Sequence, residues 1–360
     1  MRVPGIERLK RAAALAGKRL HGQALILLYH RVAEPGCDPW HLSVKPHHFR
    51  EHLEVLRKHA RPMRLLDLVA ALRRGRLPRR AVAVTFDDGY ADNLSHAKPL
   101  LEKFDVPATV FVAVGYTGRE REFWWDELDR LLLEPGLLPE TLELRVDGQR
   151  FRWELGEDAR YSEIDYQRNR DWRAWDERDP GRRQSLYRSL WRLMQPLADA
   201  ERQKIRDYLC AWASADPAAR ASHRPMSHDE ILALERGGLI EIGSHTITHP
   251  QLPMLSADAQ RDEICHSKAH LEELVGHPVK SFAYPYGDYT DETVALAREA
   301  GFDCACSTVA EPADRHADPF RLPRLQAQDV DGEAFSRMLN EWFNFKKPES
   351  RSQSLEGDPA

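Results

Sequence analysis

Two hydrophobic rhythms alternate along most of this chain. Short, nearly continuous apolar runs at residues 24–28, 81–86, 108–114, 239–242, 281–284 and 302–306 read as buried strands, with 320–325 as a further candidate. Segments with apolar residues three and four apart separate them and read as helices. Phe49, Leu53 and Leu56 follow Pro46, and residues 65–72 are closed by Gly75 and Pro78. Residues 93–104 are helical in pattern, with Pro99 a kink or a start. Ser227-His228-Asp229-Glu230 is a capping box that opens a helix ending near Gly237-Gly238. A longer helix runs from Ser256 to Gly276 with Ile264, Leu271 and Leu274 on its inner side, and another runs from Thr290 to Gly301. Strands alternating with helices predict a parallel sheet or barrel.

The rhythm breaks over residues 120–223. Charged residues crowd with Trp124, Trp125, Trp153, Tyr161, Trp172, Trp175 and Trp191. Residues 142–145 and 150–153 flank Asp147-Gly148, a hairpin signal, and 184–212 read as helix. This segment is expected to be a mostly helical insertion, or lid, within a barrel made of residues 24–119 and 224–345. Residues 346–360 are polar and expected to be disordered. Residues 1–23 form a separate unit, in which Ile6, Leu9, Ala13, Ala16 and Leu20 keep helical spacing. There Arg2, Arg8, Lys10, Arg11, Lys18 and Arg19 outweigh Glu7. Such a basic amphipathic helix either covers the bottom of the domain or lies through residues 1–20 on an anionic membrane face.

Composition narrows the class. The 360 residues are 42% hydrophobic, enough for a sizeable core, and the net charge of −5 gives no electrostatic case for nucleic acid. Five cysteines, an odd number without regular spacing, argue for reduced thiols. Cys304 and Cys306 are expected on opposite faces of a strand. No apolar run approaches the ~20 residues of a membrane span, and no apolar signal region follows Arg2. The cytoplasm, or the inner membrane surface, is the expected location.

The chemistry collects just past the strands. Thr85-Phe86-Asp87-Asp88-Gly89-Tyr90 puts two adjacent carboxylates at a strand end, where burial as a pair of anions calls for a cation. Gly243-Ser244-His245-Thr246-Ile247-Thr248-His249-Pro250 places two imidazoles four apart after another strand, in a loop, since Pro250 discourages helix at His249. Loops after parallel strands share one rim. Asp88, His245 and His249 therefore make a candidate metal site with open positions for water. Asp87 beside it suits a general base, or a group orienting a ligand. Phe282-Ala283-Tyr284-Pro285-Tyr286-Gly287-Asp288 ends a strand in a sharp turn, where the Tyr286 N–H can meet a developing oxyanion.

These three stretches resemble, in order, the first three signature motifs of the NodB-homology polysaccharide deacetylases, carbohydrate esterase family four, over about residues 24–118 and 226–326. The resemblance implies a distorted (β/α)7 barrel. It also implies a metal-dependent hydrolase that removes N-acetyl groups from amino sugars of a polysaccharide or glycan precursor. In that reading Asp87 is the base, Asp88, His245 and His249 hold the metal, Tyr286 serves the oxyanion, and Tyr90, Tyr284 and Pro285 meet substrate.

Two departures stand out. Ala283-Tyr284 occupies the place of a usual arginine, and no Leu-x-His motif follows residue 301, where His316 lies in a polar loop. Leu28-Tyr29-His30-Arg31-Val32 is similar to the N-terminal strand of the biofilm poly-N-acetylglucosamine deacetylases, which implies His30 as general acid. Within Arg321-Leu322-Pro323-Arg324, Arg324 either replaces the missing arginine opposite Asp87 or is exposed. Zinc suits the ligand set, and cobalt, nickel or manganese also fit. The expected partner is an N-acetylated glycan or a lipid-linked sugar. Rival readings are an O-acetyl esterase, a deformylase on a lipid-linked sugar, and a silent carbohydrate-binding barrel. The aromatic residues of 120–223 either stack on sugar rings or fill a core. Oligomeric state is left open.

Overall fold

Seven parallel strands, with a short eighth of residues 61–62 paired alongside, curl into a distorted barrel in the computed structural model, which describes residues 23–34 and 36–345. The expected basic helix at the N-terminus and the expected tail after residue 345 lie outside the described residues. The strands are β1 (Ala24–Tyr29), β2 (Ala81–Phe86), β3 (Ala108–Val112), β4 (Ile240–Ser244), β5 (Ser281–Ala283), β6 (Cys304–Cys306) and β7 (Leu325–Gln326). Their order is β6-β5-β4-β3-β2-β1-β7. β1 and β2 pair along their whole length, from Ala24 opposite Ala81 to Tyr29 opposite Phe86. The ring is drawn together by one stretch of chain: Leu322 bridges Cys306 at one edge, and Leu325 pairs with Leu27 at the other. With all strands parallel, their C-terminal ends share a rim.

Alternation along each strand decides what the barrel holds. Leu25, Leu27, Tyr29, Val82 and Val84 point outward, against helices such as α1 (Pro46–His59), whose Phe49, Leu53 and Leu56 are fully buried. Ala24, Ile26, Ala81, Ala83, Ala283, Cys304 and Cys306 form the inner set with Phe111. Most are small because so narrow a ring leaves little room. Helix α2 (Leu65–Arg73) plugs the N-terminal end through Leu65, Leu68 and Leu72. Cys304 and Cys306 thus lie on the same face. The expectation of opposite faces fails because a two-residue period returns the side chain to its starting side. All five cysteines are free.

Elsewhere the rhythm was finer than it looked. Residues 93–104 form a π-helical turn, Asn93–Ala97, that runs into α3 (Lys98–Phe104), with Pro99 in its first turn, where a missing N–H costs little. Strand β7 is confined to Leu325–Gln326, since Pro323 just before it has no N–H to give a ladder.

Between β3 and β4 lie α4 (Trp124–Leu133), a hairpin of Thr141–Val146 and Gln149–Glu154, α5 (Arg182–Met194) and α6 (Asp199–Trp212). The helix expected over 184–212 is two helices, broken around Pro196. The hairpin turns through Asp147 and Gly148, both at positive φ, as the tight primed turn requires. Trp124, Leu128, Leu132, Leu186, Leu190 and Leu209 make a second hydrophobic cluster, which Tyr90, Ala113 and Tyr116 join from the barrel.

The return to the barrel passes through α7 (His228–Glu235), whose Ser227 capping box is formed. Helices α8 (Ala257–Val275), α9 (Asp291–Glu299) and α10 (Gly332–Phe343) complete the described chain. No helix among the described residues is long and apolar enough to cross a membrane.

Candidate active site

β2 runs out into Asp87 and Asp88, both buried. Their roles are separated by what faces each carboxylate. Arg324, fully buried just before β7, grips Asp87 with two parallel bonds, Nη1 to Oδ1 and Nη2 to Oδ2, each 2.7 Å. Its Nε donates to the Ser307 carbonyl at 2.9 Å, which fixes the guanidinium plane. Burial pushes the Asp87 carboxyl up, but Arg324 and His245 outweigh it, so the carboxyl sits below its usual range.

Asp88 has no such partner. Its Oδ1 is buried without a hydrogen bond, and burial, then Asp87, push its carboxyl well above the usual range. What it faces is a pair of imidazoles. His245 Nε2 lies 3.6 Å and His249 Nε2 3.5 Å from Asp88 Oδ1. Ligands at about 2.0–2.2 Å around a tetrahedral ion stand roughly 3.4 Å apart, so these atoms are spaced to share one. The His245 Nδ1–H donates to the Ala283 carbonyl at 2.8 Å, which leaves the Nε2 lone pair toward Asp88. Burial lowers both imidazoles, His249 well below the ordinary value, and keeps them neutral as ligands must be. The donor set and the orphaned carboxylate oxygen fit a divalent cation.

The histidine loop is held from two sides. Glu263 of α8 accepts the N–H groups of Ile247 and Thr248 at 2.8 and 2.9 Å, and the Thr248 hydroxyl at 2.6 Å. From α6 the buried Arg202 donates to the carbonyls of Thr248 and His249 at 3.2 and 3.4 Å. Neither residue was singled out from the sequence, where each is one charge among many on a helix. This clamping matters because Asp88, Thr246, His249 and Tyr286 all take positive φ, 73°, 66°, 53° and 60°. Such backbone costs about 1–3 kcal/mol per residue and persists only where the surroundings dictate it.

His30, at the end of β1, lines the same cavity as Asp87 and Asp88. Its Nδ1 is buried without a partner, and burial pushes the ring down to about 4, against the pull of Asp87. Tyr286 lies across the site, its ring 4.6 Å from that of His249. Gly287, at φ 76°, must be glycine: a Cβ there would lie 2.0 Å from Thr308 Oγ1.

Tyr90, Tyr284 and Pro285 do not line the cavity, so the expected contact with substrate is corrected for all three. Tyr90 is fully buried between the two hydrophobic units, donating to Asp126 and accepting from Trp125 Nε1, both at 2.8 Å. Tyr284 is fully buried too, its hydroxyl on the Phe320 carbonyl at 2.9 Å, and Pro285 is buried in the turn. His316 sits exposed on a loop.

The cavity has a volume of about 480 Å³. Beyond the residues above, its wall includes Trp40, Trp125, Trp175 and Trp191, with Gln195 and Asp288 among its polar groups. Trp40 carried no sequence signal, since it stands in an irregular stretch far from the other tryptophans. A second buried group with ligand-like spacing, Asp126, Asp129 and His223, already has a cation: Arg220 Nη2 lies 3.1 Å from Asp129.

A family model described as polysaccharide deacetylase matches residues 74–136 and 206–305. YxkH of Bacillus subtilis is 30% identical over 101 residues, 28% of this chain and 36% of that protein. The poly-beta-1,6-N-acetyl-D-glucosamine N-deacetylase of Staphylococcus aureus is 28% identical over 116 residues, 29% of this chain and 40% of that one. The chain thus spans well under half the length of these curated relatives. Among solved structures, the Streptococcus pyogenes deacetylase PplD in complex with acetate superposes with a TM-score of 0.55 at 17% identity, covering 89% of this chain and 99% of that one. IcaB from Ammonifex degensii gives 0.54 at 19% identity, covering 90% and 98%. At such identities these likenesses establish the fold.

Proposed function

We propose that the chain belongs to the polysaccharide deacetylase family, of NodB homology, and that it removes N-acetyl groups from amino sugars of a polysaccharide or glycan precursor. One observation carries the reading: three ligand atoms from Asp88, His245 and His249 converge beside a second carboxylate, Asp87, that has its own fixed cation.

Asp88, His245 and His249 would hold a divalent cation, for which zinc best suits two imidazoles and a carboxylate and cobalt, nickel or manganese compete. When bound, such a cation acidifies water and polarises a carbonyl. The protein's own groups do the rest. Asp87, kept anionic and oriented by Arg324, takes the proton of the attacking water. The backbone N–H of Tyr286 meets the charge growing on the acetyl oxygen. His30 protonates the departing nitrogen, since an amide anion leaves poorly. A ring that burial pushes down to about 4 is a strong acid once charged, and Asp87 favours the charged form. The products are acetate and a free amine.

The test is acetate release from N-acetylated oligosaccharides, O-acetylated sugars and lipid-linked sugars, with and without chelator. Chelator-sensitive release from the N-acetylated set supports the reading. Release only from O-acetyl esters, or from none of the panel, overturns it.

A further inference from the structure

Trp175 is left half in water: the residue's exposure is 52%. A tryptophan so placed gives up much of the burial that stabilises its neighbours, and this one does not owe its position to a loose loop. The turn that carries it is pinned. Ala174 N–H donates to the Pro39 carbonyl at 2.9 Å, Arg173 N–H donates to the Asp176 carboxylate at 3.1 Å, and Arg188 donates to the Asp176 carbonyl at 2.8 Å. The ring itself is braced by His41, centroid to centroid 5.2 Å at 65°, and by Trp40 at 6.2 Å.

Rings connect it to the cation site. Trp40 packs on Trp191 at 4.3 Å and its Nε1 donates to the Tyr187 hydroxyl at 2.9 Å. Trp191 stands 6.1 Å from Tyr286, which stands 4.6 Å from His249. The outer ring of this series and Asp87 line one cavity. Acceptors and donors stand in the same wall, among them Gln195 and Asp288, whose Oδ2 accepts from Gln251 at 3.0 Å. An apolar plate beside scattered polar groups matches a pyranose ring, which has a C–H face and a hydroxyl edge.

The geometry points to a second sugar position in this cavity, with Trp175 as the platform for a hexosamine ring next to the one whose acetyl group meets Asp87. The inserted segment between β3 and β4 thereby sets the preference for an oligosaccharide over a single sugar. This rests on the proposed action on N-acetylated amino sugars.

The test uses the full chain loaded with zinc and β-1,6-linked N-acetylglucosamine as monomer and trimer. In Trp175→Ala the ratio of monomer KM to trimer KM falls about tenfold, the size expected for losing one aromatic stacking contact. Trp175→Phe restores most of it, which a merely folded or unfolded protein would not do. A ratio unchanged in Trp175→Ala overturns the platform. If no acetate is released from any sugar, calorimetric binding of monomer and trimer to the same three proteins decides separately. A trimer preference lost in Trp175→Ala then upholds the platform while the deacetylase reading falls, and equal binding in all three sinks the platform.

Discussion

Arg324 and Asp87 stand 237 residues apart in the chain and meet in a bidentate pair, both bonds at 2.7 Å, inside the barrel. The pair exists because the segment that draws the ring together carries the arginine inward beside β2. Arg324→Met should leave Asp87 buried without its cation, raise that carboxyl, and lower kcat by about 10²-fold, the lower end of what a positioned base contributes. Removing one partner of a buried pair also costs about 3–5 kcal/mol, so kcat must be read on protein that a denaturant titration shows to be folded. Turnover near wild type in such protein would remove Asp87 as the base.

Asp87 and His245 should separate by metal content. Asp87→Asn is expected to keep its zinc and lose about 10²–10⁴ in kcat. His245→Ala is expected to lose both, with affinity down by more than about 100-fold, the upper end of what losing a supporting hydrogen bond costs a ligand. Metal analysis beside acetate release checks this, and metal loss in Asp87→Asn would reverse the assignment.

Chelation should also cost stability. Without a cation Asp88 is buried unpaired beside Asp87. Stripping the metal is therefore expected to lower Tm, with zinc restoring it in a concentration-dependent way. A Tm indifferent to chelator would count against a resident ion.

Arg202 reaches the histidine loop from α6, between β3 and β4. Arg202→Met should leave the Thr248 and His249 carbonyls short of donors, loosen a loop held at positive φ, and reduce zinc affinity about 10–100-fold. Arg202→Lys should recover part of it. Zinc affinity equal to wild type in Arg202→Met would reduce Arg202 to packing.

His52 should make the fold acid-sensitive. Its Nε2–H donates to the Val330 carbonyl at 2.8 Å, its Nδ1 faces the Tyr29 hydroxyl at 3.2 Å, and its ring stacks on Phe335 at 3.9 Å. Burial pushes it down to about 4, whereas a histidine in the unfolded chain titrates near 6.5. Between these values the unfolded chain binds the extra proton. The stability is therefore complete above about pH 6.5 and is lost as pH falls through about 4, by roughly 3 kcal/mol in total. His52→Gln, which keeps a donor for Val330, should lose about 2 kcal/mol less than wild type between pH 7 and 4.5 in urea titrations. Parallel losses in both proteins would refute this account.

What the sequence determined by itself was local and periodic. Apolar runs announced the strands, capping residues such as Ser227 and Ser256 announced helix starts, and each chemical motif stood just past a run. Once those strands are parallel, Asp88, His245 and His249 are sent to a common rim, so their meeting needs no further information. Spacing along a chain says nothing, however, of which distant side chain fills the space opposite. Only the tertiary structure decided that Arg324 pairs with Asp87 and is not exposed, set Arg202 and Glu263 on the histidine loop, turned Tyr90 and Tyr284 into buried struts, and brought Trp40 beside Trp175. Those choices follow from ring closure and from the packing of the helices between β3 and β4, where contact depends on shape in three dimensions and periodicity carries no trace of it.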